Sequence, residues 1–151
     1  MLKGLHPLLN ADVLHALRAM GHGDDLVIAD TNFPSDSVAR QTRLGKLLRI
    51  DNTTAAEAVE AVLSVMPLDS FVEDSAARME IVGAPDEVPP VQREVQQKID
   101  AAEGKSWPMI SIERFAFYDR AKQAYCVIQT GERRFYGCFA LRKGVIPPDE
   151  G

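Results

Sequence analysis

The stretch Gly21-His-Gly-Asp-Asp-Leu-Val-Ile-Ala-Asp30 joins a predicted helix to a predicted strand and decides the class of fold. Before it, Asn10 is a good N-cap, and apolar residues recur at helical spacing, which predicts a helix over residues 11–20. Within it, the apolar run that ends on Asp30 is typical of a buried strand. Because a helix followed at once by a buried strand is the repeating unit of α/β folds, this junction predicts an α/β domain.

The same alternation of helices and strands extends over most of the chain. Strands are predicted at residues 47–50, 75–82, 124–130 and 135–141, and helices after the capping pair Thr53-Thr54, near residues 90–102 and over residues 113–122. Gly131-Glu-Arg-Arg134 is interpreted as a hairpin turn, and residues 32–37 have the composition of a turn. The pattern predicts a single three-layer α/β/α domain over residues 1–151, with a mixed, mostly parallel sheet and at least one antiparallel strand.

Composition excludes several classes of function. The chain has 151 residues, of which 46% are hydrophobic and 26% charged, as in ordinary globular proteins. It has 17 basic and 22 acidic residues, so its net charge of −5 argues against a nucleic-acid-binding surface. No apolar run approaches the ~18 residues of a membrane span, so we expect no membrane partner. The first residues lack the apolar core of a secretory signal, which predicts a cytoplasmic location.

The sequence offers no recognisable metal or cofactor motif. Its two cysteines, Cys126 and Cys138, and its three histidines do not have the spacing of a zinc site. Neither of the common glycine-rich phosphate-binding motifs occurs. We therefore expect no metal, no cofactor and, in a reducing compartment, no disulfide.

His22 is the most conspicuous candidate for chemistry. It lies between Gly21 and Gly23, so its ring is uncrowded and is able to face a cleft. Histidine exchanges protons near neutral pH, because its reference pKa is about 6.5. The alternative is that the two glycines merely end the helix and His22 is a surface loop residue.

Asp30 and Arg114 are candidates for ligand binding. Asp30 follows a predicted strand, and ligands of open α/β sheets bind at the carboxyl ends of strands. Its alternative role is an Asx turn or helix cap. Arg114 offers five fixed donors, which suit hydroxyls or a carboxylate. Its alternative is a surface ion pair with a neighbouring acid, Glu113 for example.

Tyr136-Gly137 is unusual inside a predicted strand. A glycine in a strand interior weakens packing and usually marks a bulge or the close approach of another group. Tyr136 could then present its hydroxyl to a ligand, although an ordinary aromatic residue of a sheet is an equal alternative.

Taken together, these segments resemble the RbsD/FucU-type sugar mutarotase family, and the block Arg114-Phe-Ala-Phe-Tyr118 is closer to its fucose branch than to its ribose branch. The resemblance rests on an ordered set of short matches that runs nearly from end to end. They are Met1–Gly4, Pro7–Leu9, Met20–Asp24, Ile28–Asp30, Phe33-Pro34, Pro67–Asp69, Glu113–Ala121, Thr130–Glu132, Tyr136-Gly137 and Lys143–Val145.

The resemblance implies an RbsD-like fold and an isomerase that interconverts the α and β anomers of a monosaccharide, L-fucose or a similar sugar, by opening and closing its ring. It implies that His22 is the general acid and that Asp30 binds the substrate. From the chemistry of the reaction we further hypothesise that Tyr136 relays the anomeric proton and that Asp30 orients the imidazole or binds a hydroxyl. Further substrate contacts are implied for Arg114, Tyr136, Gly137 and Cys138. Cys138 stands where the family has asparagine, and a thiol is the poorer hydrogen-bonding group.

Two alternatives of a different kind follow from the same resemblance. The protein could be a sugar-binding module without catalysis, or a mutarotase for another sugar such as ribose or rhamnose.

The family forms ring-shaped homo-oligomers, decamers in its best-known members, with sites near subunit contacts. The resemblance therefore implies that copies of this chain are its partners, and that a neighbouring subunit could complete the site.

Overall fold

Six strands form one sheet in the computed structural model, which describes every residue from Met1 to Gly151. The strands are β1 (Asp25–Ala29), β2 (Leu48–Ile50), β3 (Ala76–Met79), β4 (Ile110–Ile112), β5 (Cys126–Thr130) and β6 (Phe139–Arg142). Their order across the sheet is β2-β5-β1-β6-β3-β4. Five strands run in the same direction, and β6 runs against both of its neighbours. The prediction of a mixed, mostly parallel sheet is confirmed.

Helices cover both faces of the sheet and give the predicted three layers. They are α1 (Ala11–Ala19), α2 (Ser35–Ala39), α3 (Ala55–Leu63), α4 (Pro90–Glu103) and α5 (Arg114–Lys122). One core cluster holds the buried residues of α1, α3 and α4, and the other holds those of α2 and α5. Strand β1 is apolar from Leu26 to Ala29 because these successive side chains enter the two clusters in turn. None of the helices has the length and apolarity needed to cross a membrane.

The predicted helix starts are confirmed by their capping bonds. The Asn10 side chain accepts a hydrogen bond from the Val13 N–H at 2.9 Å, and Thr54 accepts one from the Glu57 N–H at 3.2 Å. Each cap satisfies a backbone donor that has no partner inside the helix. At these two helices, the capping residue in the sequence therefore marks the residue at which the helix begins.

The predicted hairpin of the last two strands is wrong. Strands β5 and β6 do not pair with each other, because β1 lies between them, parallel to β5 and antiparallel to β6. Both runs are buried on both faces, so their composition does not reveal which strand is the neighbour. Gly131–Arg134 is instead part of a connection that passes over the end of β1.

Other local predictions are also corrected. Tyr136 and Gly137 do not lie in a strand, since β6 begins at Phe139 and Tyr136 lies in a turn with a φ of 61°. Residues 32–37 contain the start of α2, which the turn-like composition concealed. Strand β3 is shorter than predicted, and β4 was not predicted because three residues are too few to show a period.

The direction of the strands gives the sheet two chemically different edges. At the edge where the parallel strands end, which we call the carboxyl edge, lie Asp30 after β1 and Arg114 soon after β4. At the opposite edge, the amino edge, lies the segment that precedes β1. There the Gly23 N–H donates to the Lys143 carbonyl at 2.9 Å, and the Asp69 N–H donates to the Arg142 carbonyl at 3.0 Å.

Candidate functional site

A cavity of about 240 Å³ opens at the carboxyl edge of the sheet. It is smaller than the roughly 300–1,000 Å³ of pockets for drug-sized molecules, so it suits a compact ligand. Its lining residues are Asp30, Asn32, Phe33, Met79, Arg114, Tyr118, Phe135, Tyr136 and Cys138. Four of the predicted site residues therefore meet here although they are distant in sequence.

Asp30 is buried at the floor of this cavity, with 3% of its surface exposed. Its Oδ1 accepts hydrogen bonds from the N–H groups of Asn32 and Phe33, each at 2.9 Å. Its Oδ2 accepts one from the Gly137 N–H at 3.0 Å. A carboxylate has about four acceptor positions, so one remains for a ligand hydroxyl. Asp30 thus forms the turn expected as its alternative role and also lines the cavity.

Gly137 has no room for a side chain. A Cβ at this position would lie 2.9 Å from the Glu132 Cγ and 3.2 Å from the Asp30 Cβ. The close approach that the glycine indicated is therefore real, although it occurs before β6 and not inside a strand. It allows the Gly137 N–H to reach Asp30.

Tyr136 is held in an unusual backbone conformation beside the cavity. Its φ of 61° lies in the left-handed region that bulky residues rarely adopt. Its hydroxyl accepts a hydrogen bond from the Val82 N–H at 3.2 Å, which leaves the phenolic proton able to donate to a ligand.

Arg114 is exposed at the cavity and forms no ion pair. Its Nε donates to the Tyr118 hydroxyl at 3.3 Å, and its guanidinium lies 5.5 Å from the Tyr118 ring centre. The Glu113 carboxylate does not contact it, but accepts the Phe115 N–H at 2.9 Å and so caps α5. The remaining guanidinium donors are thus free for ligand hydroxyls.

Cys138 is a neutral thiol in the wall of the cavity. Burial raises its pKa well above the ordinary value, and the negative charge of Asp30 raises it further. It is a weak hydrogen-bonding group at a position that contacts the cavity. Its backbone N–H makes no hydrogen bond within the chain.

An ion pair between the buried Glu132 and the exposed Arg134 supports the connection that carries these residues. The Glu132 carboxylate accepts a hydrogen bond from Arg134 Nη2 at 2.9 Å and one from the Ala55 N–H at 3.3 Å. The Glu132 carbonyl accepts the Thr31 N–H at 2.8 Å. These contacts tie the connection to the end of β1 and to the start of α3.

His22 does not line the cavity. It lies at the amino edge, where its Nε2 is 3.1 Å from Asp69 Oδ1 and its ring centre is 5.5 Å from that of Phe71. The five residues of β1 separate it from Asp30, and strands rise about 3.3 Å per residue, so the gap is at least ~16 Å. Within one chain, the expectation that Asp30 orients the imidazole is wrong.

Asp69 is a functional candidate to which the sequence assigned no role. It is buried and follows the motif Pro67-Leu68, but only the sheet topology brings it to the same edge as His22. Burial raises its pKa, yet the hydrogen bonds from Phe71 and His22 outweigh burial and hold the pKa below its ordinary value of 3.8. A carboxylate that stays ionised at this distance orients the imidazole by accepting a hydrogen bond from its Nε2.

We expect Asp69→Asn to lower the free energy of unfolding at neutral pH, and to lower it progressively less as the pH falls below the ordinary carboxyl pKa of 3.8. A carboxyl group whose pKa is lowered by folding stabilises the protein above its unfolded value, and this contribution is lost as the pH falls through the lower folded value. Urea unfolding across this range measures the difference. Asp36→Asn is the control, since Asp36 is 61% exposed and pairs only with Arg40. A difference between wild type and Asp69→Asn that stays constant with pH would contradict this role.

No group of three or more histidine, cysteine, aspartate or glutamate side chains converges to hold a metal ion. The functional groups at the cavity are a carboxylate, a guanidinium and a phenol, and at the amino edge there is an imidazole bound to a carboxylate. Such groups bind hydroxyls and move protons.

Comparisons with known proteins agree with this chemistry. The model of the RbsD / FucU transport protein family matches residues 3–146. The chain is 43% identical to the fucose mutarotase of Homo sapiens, over 96% of this chain and 94% of that protein. Its structure matches the fucose mutarotase of Streptococcus pneumoniae in complex with L-fucose, with a TM-score of 0.86, 36% identity and coverage of 97% and 100%. It matches protein Atu2016, a candidate sugar binding protein, with a TM-score of 0.95, 73% identity and 97% coverage of each chain.

Proposed function

Since the chain belongs to the RbsD / FucU family, we propose that it is an isomerase that interconverts the α and β anomers of L-fucose or a closely similar monosaccharide. The observation that carries the proposal is the small cavity in which Asp30, Arg114 and Tyr136 meet. A pyranose presents hydroxyls that both donate and accept hydrogen bonds, and these three side chains supply the complementary groups. Its similarity to fucose mutarotases of animals and bacteria favours L-fucose among the sugars.

The reaction requires only two proton movements. In ring opening, the protonated imidazole of His22 gives a proton to the ring oxygen as the C1–O bond breaks. The anomeric hydroxyl gives its proton to the Tyr136 hydroxyl, which at the same time passes its own phenolic proton to water. C1 is then an aldehyde carbon, and rotation about C1–C2 turns its other face to the ring hydroxyl. In closure, the ring hydroxyl attacks C1 and returns its proton to His22, and the new anomeric oxygen receives a proton through the Tyr136 hydroxyl. Neither oxidation nor a covalent enzyme intermediate is needed.

Asp30 and Arg114 hold the sugar in this scheme. The free acceptor position of Asp30 binds one hydroxyl, and the unpaired guanidinium donors of Arg114 bind others. Asp69 takes the role of orienting His22. The contact to residue 138 is made by its backbone N–H, so the cysteine in place of asparagine alters the preference among sugars more than the reaction.

Two copies of the chain are needed to assemble this site. His22 and the cavity lie at opposite edges of one sheet, so a neighbour must bring its amino edge to the cavity. A head-to-tail contact of this kind generates a ring when the rotation between subunits closes. Large apolar side chains lie exposed at both edges: Phe135 is 73% exposed, Phe115 65% and Phe71 71%. We propose a ring-shaped homo-oligomer on this ground, with ten copies as the family resemblance implies.

We propose that the chain is a single domain that works in the cytoplasm. Residues 1–151 act as one domain built on a single sheet. A reducing compartment such as the cytoplasm is supported by the two cysteines, which are both buried free thiols.

We expect the protein to accelerate the exchange between the anomers of L-fucose strongly, because both proton transfers are then made by positioned groups. Saturation-transfer NMR on a panel of L-fucose, D-ribose and L-rhamnose measures this exchange directly, and bovine serum albumin serves as the control. A rise in melting temperature with L-fucose, without faster exchange of any sugar, would assign the cavity to a binding module and overturn the proposal.

A further inference from the structure

The backbone of Tyr136 needs support from its surroundings. A tyrosine at a φ of 61° is in a conformation that persists only where neighbouring contacts enforce it. The Gly137 N–H bond to Asp30 fixes the residue after it. The contacts that fix Tyr136 itself come from a buried polar network on the far side of the cavity wall.

Gln92 is the centre of this network. It lies in the first turn of α4 and is completely buried. Its Nε2 donates to the Tyr136 carbonyl at 3.1 Å and to the Met79 carbonyl at 2.7 Å. Its Oε1 accepts a hydrogen bond from Arg78 Nη1 at 3.0 Å. The orientation of the amide is unambiguous, because Arg78 only donates and the two carbonyls only accept.

Arg78 extends the same network to the other end of Tyr136. It is 8% exposed, and its guanidinium contacts no carboxylate. It donates instead to the carbonyls of Pro85, at 3.0 Å, and Glu87, at 3.4 Å. These residues follow Val82, whose N–H holds the Tyr136 hydroxyl. Burying a guanidinium without a carboxylate partner lowers the stability of the protein unless its donors find other acceptors. All the acceptors of Arg78 belong to Gln92 or to the loop after Val82.

We propose that Gln92, backed by Arg78, is a positioning residue that sets the Tyr136 hydroxyl for proton transfer at the cavity. It holds the Tyr136 carbonyl directly and holds the hydroxyl through the loop that carries Val82. The inference rests on the proposed mutarotase function, because it assigns Gln92 an effect on that reaction through Tyr136.

The test compares Gln92→Leu with Gln96→Leu in the exchange of L-fucose anomers. Gln96 lies one turn further along α4 and makes an equivalent set of bonds, donating to the Trp107 carbonyl and accepting from the Met109 N–H. We expect Gln92→Leu to lower the exchange rate at saturating sugar about 10–100-fold, as small misplacements of a catalytic group do. Gln96→Leu should change it less than about twofold, although it also removes partly buried hydrogen bonds.

A double-mutant cycle separates positioning from a general loss of structure. In a Tyr136→Phe background, Gln92→Leu should have little further effect on exchange, because the hydroxyl that it positions is already absent. If Gln92→Leu does not fold, Gln92→Glu replaces it, since a glutamate keeps the volume and the Arg78 contact but cannot donate to the two carbonyls.

Two results would overturn the inference while leaving the proposed function intact: a folded Gln92 variant with wild-type exchange, or an equal loss of exchange in both backgrounds. Wild-type protein in the same series tests the proposed function separately. If wild-type protein accelerates no sugar, both the proposed function and this inference fail.

Discussion

His22→Ala is expected to lose most of the anomer exchange, on the order of 10²–10⁴-fold, because that is the range of general acid–base assistance. At the amino edge, the imidazole is held by the buried carboxylate of Asp69, which positions it to act as the acid of the proposed reaction. Saturation-transfer NMR with L-fucose measures the loss. Sugar binding should weaken much less, because Asp30 and Arg114 remain in place.

His15→Ala is the matched control for this substitution. His15 is an exposed residue of α1, so its loss should change neither exchange nor folding. Circular dichroism establishes that both variants are folded. Undiminished exchange in folded His22→Ala would show that His22 takes no part in the reaction. A second subunit would then not be needed to bring an imidazole to the cavity.

A mixture of two inactive variants is expected to regain activity. His22→Ala lacks the acid but has an intact cavity, whereas Asp30→Asn has the acid but places an amide donor against the N–H of Gly137. When the two are dissociated together and reassembled, a contact between an intact acid and an intact cavity forms in about a quarter of random pairings. Exchange should therefore rise from near zero to about a quarter of the wild-type rate.

The same two proteins mixed without dissociation are the control, because their subunits have not exchanged. Light scattering before and after reassembly shows whether mixed oligomers form and whether they dissociate on dilution. If mixed oligomers form and exchange stays at the level of the separate variants, the catalytic groups lie in one chain. The two-copy site would then be wrong.

Local patterns in the sequence predicted the elements well where the signal lies within one element. Asn10 and Thr54 cap the helices that they were expected to begin. The apolar run before Asp30 is a fully buried strand. Each of these signals reports on neighbours a few residues away, so it does not depend on how the elements are arranged.

Predictions that depended on the neighbours of an element were less successful. The runs that form β5 and β6 were correctly predicted as strands, but the assumed hairpin was wrong because β1 pairs with both. Tyr136 was placed in a strand because a tyrosine beside a glycine and an apolar run has strand composition. Its positive φ depends on bonds from α4 and from the loop after β3, which no local pattern contains.

The sequence by itself determined four of the five helices, the buried strands, the class of fold and most of the polar residues on which the proposed function depends. Only the tertiary structure decided which of those residues meet. Asp30 joins Gly137 across 107 residues, and His22 joins Asp69 at the opposite edge of the sheet. The reason is that periodicity and capping act over a few residues, whereas the order and direction of strands follow from the burial of whole faces against one another.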